Sequence, residues 1–124
     1  MKMILSILFL LHAGNTYCQS KPYPDWIRDS LKCKGLDRKY ELDSYVTPSF
    51  FQEDFNGDGF SDIAVLILEK ANRKKGVLLI HGHSLQYYVF GAGINFGDGS
   101  DNFSWANKWS VYQKKSAYEA YMIN

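Results

Sequence analysis

Two runs, Ile63-Ala64-Val65-Leu66-Ile67-Leu68 and Val77-Leu78-Leu79-Ile80, constrain this chain more than anything else in it. Neither alternates apolar with polar side chains. Successive side chains of a strand point to opposite faces, so an unbroken apolar run of strand length needs cover on both faces. The connection Glu69-Lys70-Ala71-Asn72-Arg73-Lys74-Lys75-Gly76 is charged and ends in glycine. The two runs are therefore predicted to be neighbouring antiparallel strands, the simplest topology for so short a connection. Ile63 to Leu68 is the candidate central strand.

Weaker strand signals surround this pair. Tyr40 to Val46 alternates in part and stops at Thr47-Pro48, Leu85 to Phe90 is closed by Gly91-Ala92-Gly93, and Lys108 to Tyr112 alternates again. Together they predict one meander. Upstream, Asp25 to Gly35 has an acid at its start, Lys32 and Lys34 near its end and a glycine just after, which are helix start and stop signals. Ile27 and Leu31, four apart, give that helix a narrow apolar stripe suited to covering a sheet. The expected fold is mainly β, of the α+β class: a short N-terminal helix on a small antiparallel sheet. Aromatic residues at 16% of the chain fit half-buried strands. Cys33 reads as inert packing or a partly exposed thiol, having no neighbouring His or Cys to activate it.

The amino terminus predicts export. Met1-Lys2-Met3 followed by Ile4 to Leu11 has the layout of a secretory signal peptide, and the apolar run is too short for the roughly 20 residues of a membrane-spanning helix. Thr16 and Cys18 supply the small side chains of a cleavage site, so residues 1 to 18 are read as the signal and 19 to 124 as one domain, secreted, periplasmic or on the cell surface. A lipoprotein with Cys18 lipidated fits less well, because the bulky Tyr17 stands where a small residue is expected. Cleavage after Cys18 leaves 106 of the 124 residues, with Cys33 alone and no intramolecular disulfide. The 14 basic and 13 acidic residues become equal once Lys2 is lost. That balance argues against nucleic acid as a partner, since phosphate neutralisation needs a basic excess.

Chemistry concentrates in Asp54-Phe55-Asn56-Gly57-Asp58-Gly59-Phe60-Ser61-Asp62, immediately before the candidate central strand. Oxygen-bearing side chains stand at positions one, three, five and nine of this loop, with glycine at six. Ca²⁺ takes oxygen ligands at about 2.3 to 2.6 Å, and short Asp and Asn side chains at alternate positions can converge on one point. Gly59 permits the sharp turn and the carbonyl of Phe60 adds a main-chain oxygen. The candidate ligands are Asp54, Asn56, Asp58, Phe60 and Asp62, with calcium as the expected cofactor. Val65 occupies position twelve, where an EF-hand needs a bidentate Glu, so this is not an EF-hand. The competing reading is a solvated Asp/Asn/Gly turn. Against it, three carboxylates crowded without an ion repel at roughly 1 to 4 kcal/mol per close pair, depending on exposure.

Asp-Phe-Asn-Gly-Asp-Gly-Phe-Ser-Asp-Ile-Ala-Val resembles the calcium motif of FG-GAP and VCBS repeats, found in integrin α-chain propellers and many exported bacterial proteins. The resemblance spans Phe50 to Leu68 and implies the same ligands, with Phe60 through its main chain. Propellers need several blades, and only one motif is present, so whole-propeller function does not carry over. Gly91-Ala92-Gly93 and Phe103-Ser104-Trp105 near Trp109 resemble small exported proteins of Bacteroidetes-type bacteria with a single such motif.

Other constellations carry weaker signals than this loop. His81 and His83, two apart, would share a face on a strand, but no Cys or carboxylate stands close in sequence to complete a metal shell, so a surface role is expected. Val77 to Gly82 resembles the strand-His-Gly turn of α/β-hydrolases, although no serine has the flanking glycines of a nucleophile elbow. Gly97 to Asn102 lacks one-three-five ligand spacing and reads as a turn. The cluster Arg73-Lys74-Lys75 reads as a solubilising hairpin tip. Tyr87, Tyr88, Tyr112, Tyr118 and Tyr121 are candidates for a protein or carbohydrate contact surface. The leading expectation is an exported, non-catalytic calcium-binding module. The alternatives are a small secreted hydrolase using His81 or His83 with an acid, and an interaction or immunity-type protein for another exported protein.

Overall fold

The computed structural model describes residues 23–98, 100–114 and 117–123. The expected signal segment and its cleavage site lie outside the described residues. The architecture is mainly antiparallel β with one short helix, as the sequence predicts. The helix α1 spans Asp25–Cys33 and is followed by a 3₁₀ turn, Leu36–Arg38. Seven strands follow: β1 Tyr40–Leu42, β2 Phe50–Glu53, β3 Asp62–Glu69, β4 Lys75–Ile80, β5 Tyr87–Gly91, β6 Lys108–Lys114 and β7 Ala117–Ile123.

β3 is central and all eight of its residues are buried. One side of it pairs with β4, and β4 with β5. Its other side is shared, with β1 on Ile67 to Glu69 and β2 on Asp62 to Val65. Alternation then sorts the apolar run onto two faces. Ile63, Val65 and Ile67, with Leu78 and Ile80 of β4, meet Ile27 and Leu31 of α1. Ala64 and Leu66, with Val77 and Leu79, meet Val46, Phe51, Phe103 and Trp109. Each fully buried aliphatic side chain contributes about 1.5 to 3 kcal/mol, and among the described residues β3 supplies more of them than any other element.

Three sequence expectations need correction. The segment after Tyr40 is a strand only to Leu42, because the chain bends outward through Thr47 and returns at Phe50. That return makes β2, unforeseen because four residues after a proline carry little periodic signal. The predicted single meander is two sheets. After β5 the chain leaves the sheet through Gly91, Ala92 and Gly93, all at positive φ, and among the described residues β6 pairs with β7 alone. The resulting hairpin is joined to the main sheet by Trp109, whose Nε1–H donates to the Pro48 carbonyl and whose ring packs on Phe51.

The basic cluster Arg73-Lys74-Lys75 lies at the connection between β3 and β4, a hairpin tip as expected, with Arg73 exposed. Arg73 pairs with Glu41 at the surface, Lys74 pairs with Asp101, and the Lys75 ammonium sits over the Tyr45 ring, so the charges of this tip have partners. Cys33 is exposed at the end of α1. Among the described residues no helix is long and apolar enough to cross a membrane.

Candidate metal centre

The loop from Asp54 to Asp62 folds around the carboxylate of its first residue. Asp54 Oδ1 accepts the N–H groups of Gly57 at 2.7 Å and Asp58 at 3.2 Å, and Oδ2 accepts that of Gly59 at 2.7 Å. Gly59 sits at φ +86°, a conformation open to glycine at no steric cost, and this aims its N–H inward. The Gly59 N–H, joined by those of Gly57, Asp58 and Asn56, holds the Asp54 carboxyl below its ordinary range against the opposing effect of desolvation. Asp54 is therefore an anion at neutral pH, as a calcium ligand must be.

Asp58 and Asn56 are exposed beside it. Asp58 Oδ1 accepts the Phe60 N–H at 2.9 Å, its Oδ2 lies 3.3 Å from Asn56 Nδ2, and Asn56 Oδ1 accepts the Asp58 N–H at 3.2 Å. Each of these oxygens keeps a further lone pair. The Phe60 side chain is half exposed and stacks on the His83 ring, centroids 4.3 Å apart and planes 15° from parallel.

Asp62 differs from the other three, being fully buried. Its Oδ2 accepts the N–H groups of Phe55 at 2.8 Å and Asn56 at 3.3 Å, closing the loop on itself. Its Oδ1 accepts the Gly82 N–H at 3.0 Å, from the turn that follows β4. Asp62 thus ties the loop to a second segment 20 residues away. The approach is so close that a Cβ on Gly82 would stand 1.9 Å from the Ser61 carbonyl oxygen. Only glycine fits.

His81 does not have the surface role expected of it. It is buried, 9% exposed, with Nδ1 3.3 Å from Asp62 Oδ2 but without hydrogen-bond alignment, and its ring meets the edge of Tyr88 at 5.7 Å. His81 and His83 do not share a face: one turns to Asp62, the other to Phe60. Both lie in the turn closed by the hydrogen bonds of His81 N–H to Gln86 and Leu85 N–H to His81.

The expected ligands therefore occupy one loop, with Asp54, Asn56 and Asp58 toward solvent and Asp62 inside. Among the described residues no three His, Cys, Asp or Glu side chains converge as a finished cage. The loop's remaining donors are the Asn56 amide oxygen and main-chain carbonyls, and the whole set is made of the hard oxygens that calcium takes and softer metals do not. What sequence reasoning missed is the attachment of His81, Gly82 and His83 to this loop. The motif ends before them, and nothing in a single sequence pairs residues 62 and 82.

Gly97 and Asp98 lie in a turn, and beyond it Ser100 Oγ accepts the Asn102 N–H while Asn102 Oδ1 accepts the N–H groups of Ser104 and Lys75. Tyr87 and Tyr88 are exposed on β5 and Tyr112 on β6. The side chains of Tyr118 and Tyr121 lie outside the described residues. Comparison with known protein families, with curated proteins and with solved structures finds no match to this chain.

Proposed function

We infer that this is an exported, non-catalytic calcium-binding module in which the ion, held by Asp54, Asn56, Asp58, Asp62 and the main chain of Phe60, fixes the start of the central strand. The observation that carries the reading is the loop itself: four oxygen-bearing side chains at positions one, three, five and nine of a turn wound on an ionised Asp54. The FG-GAP and VCBS resemblance of the same residues supports it, and so does the seamless passage of the loop into β3. The signal-like amino terminus supports export to a compartment where millimolar calcium is ordinary. Its role there is binding or surface association through exposed aromatic residues, with a protein or carbohydrate partner.

Calorimetric titration of the mature chain tests this. Calcium should bind with a dissociation constant in the range of about 10⁻⁴ to 10⁻³ M common to extracellular modules. Asp58→Ala should abolish the heat. Absence of binding by the wild type up to several times that range overturns the assignment.

A second reading has one observation in its favour. The contact between Asp62 and His81 is the carboxylate–imidazole pairing that orients a general base. Among the described residues no hydroxyl or thiol is hydrogen-bonded to His81, so the nucleophile such a hydrolase needs lacks a candidate. Hydrolytic activity lost in His81→Ala but retained in Asp58→Ala would favour this reading.

A further inference from the structure

The structure of the loop and of the turn beyond β4 suggests that they respond as one unit. Asp62 Oδ1 holds the Gly82 N–H while Oδ2 holds Phe55 and Asn56, so a single buried carboxylate fixes both segments. Phe60 and His83 stack at a second point between the same two segments. From that turn, where Leu85 is 38% exposed, the chain runs directly into β5, the outer strand of the sheet, where Tyr87 and Tyr88 are exposed at 40% and 46%. Leu85 also takes a positive φ of 58°, unfavourable for a leucine and stable only while its surroundings enforce it.

We propose that calcium at the loop regulates the order of the 81–88 segment, so that the exposed aromatic edge of β5 is presented in one arrangement only when the ion is bound. This rests on the calcium reading above and extends it from the ion to the surface it controls. The link is mechanical. An ion that uses Asp62 as a ligand fixes the oxygen pair on which Gly82 hangs, and one that uses the Phe60 carbonyl fixes the ring against which His83 stacks. Opening the turn then requires the ion to leave. Linkage gives the size of the effect: if opening and ion release are fully coupled, local opening becomes rarer by the factor 1 + [Ca²⁺]/Kd. At a dissociation constant of roughly 10⁻⁴ M and about 2 mM free ion, that factor is about 20.

Amide hydrogen exchange of the mature chain, with calcium and with chelator, reads it out, using calorimetry on the same samples to report binding. Exchange at residues 81–88 should slow about 20-fold with calcium. Residues 94–98, beyond the opposite end of β5, should not change. His83→Ala keeps every proposed ligand and removes the stack, so it should still give binding heat while losing at least half of the slowing on a logarithmic scale. Binding heat with unchanged exchange at 81–88, equal slowing at 94–98, or undiminished slowing in His83→Ala each overturns the coupling and leaves the calcium site standing. No binding heat removes the calcium reading itself.

Discussion

At its start β3 buries Asp62 completely and surrounds the carboxylate with the N–H groups of Phe55, Asn56 and Gly82. At its end it buries Glu69 almost as deeply, at 8% exposure, and Oε2 there meets no hydrogen-bond donor. Gly93 presses on that carboxylate so closely that a Cβ would lie 2.7 Å from Oε2. The countercharge is Lys74, whose ammonium is hydrogen-bonded to Asp101. That bond, with the charges of Asp101 and Glu69, raises the Lys74 pKa. A buried acid costs free energy unless donors surround it. Asp62 satisfies that requirement with main-chain donors from two segments and so acts as a joint. Glu69 is balanced by charge at a distance, and among the described residues its side chain holds no backbone N–H.

The middle of the strand sets the scale for separating the two ends. Leu66→Ala, at a fully buried position on the hairpin-facing side, should cost about 2 to 5 kcal/mol in denaturant unfolding. A loss below about 0.5 kcal/mol, the range of surface changes, would mean that the strand is peripheral.

The ends should then diverge under isosteric neutralisation. Asp62→Asn replaces one acceptor oxygen with a donor against inward-pointing N–H groups, and at about 1 to 3 kcal/mol per stranded group should lose on the order of 2 to 4 kcal/mol. Equal losses for Asp62→Asn and Glu69→Gln would erase the distinction between joint and balanced charge.

Calcium should act on the Asp62 end alone. With about 2 mM free ion and a dissociation constant near 10⁻⁴ M, mass action contributes about 1.8 kcal/mol. For a domain of this size that raises the melting temperature by roughly 7 to 14 °C. Mg²⁺ should do much less, since it demands octahedral geometry and gives up water reluctantly. Asp58→Ala should remove the shift and melt slightly above wild type in chelator, where it relieves repulsion. An identical melt in calcium and chelator would reduce the loop to a turn.

At the far end, Glu69→Gln should change stability by less than about 1 kcal/mol, because neutralising an incompletely satisfied buried acid trades a lost charge pairing against a relieved desolvation cost. It should leave the calcium shift intact.

The smallest effect concerns acid. The folded pKa of Asp54 lies below its unfolded value, so its contribution is present above the ordinary carboxylate range near pH 4 and is lost as pH falls through the lowered value. Melting of the chelated protein from pH 6 downward should show a shallower acid decline in Asp54→Asn than in wild type.

Much of this fold is legible in the sequence for a physical reason. A strand covered on both faces cannot alternate, so β3 and β4 announce themselves, and the caps and stripe of α1 do the same. The alternation of Lys108 to Tyr112 reveals a strand but not its partner, so the separate β6–β7 hairpin was hidden. β2 is defined by its register against Val65 to Asp62 more than by its own four residues. For the candidate site, local spacing exposes every residue of the loop. It is silent on Gly82 and His81, because a hydrogen bond across 20 residues leaves no periodic trace.

The 1.9 Å approach at Gly82 has a consequence for how such a chain can evolve. Side-chain identities at exposed positions such as Ser61 can drift, but the loop's length cannot, since its first residue is held by its own turn and its last by a neighbour with no room for a methyl group. Insertions should therefore be purged where substitutions survive. Positions 62 and 82 should vary as a pair, Asp persisting with Gly. Distant relatives are better sought by that long-range Asp–Gly pairing than by the loop motif alone.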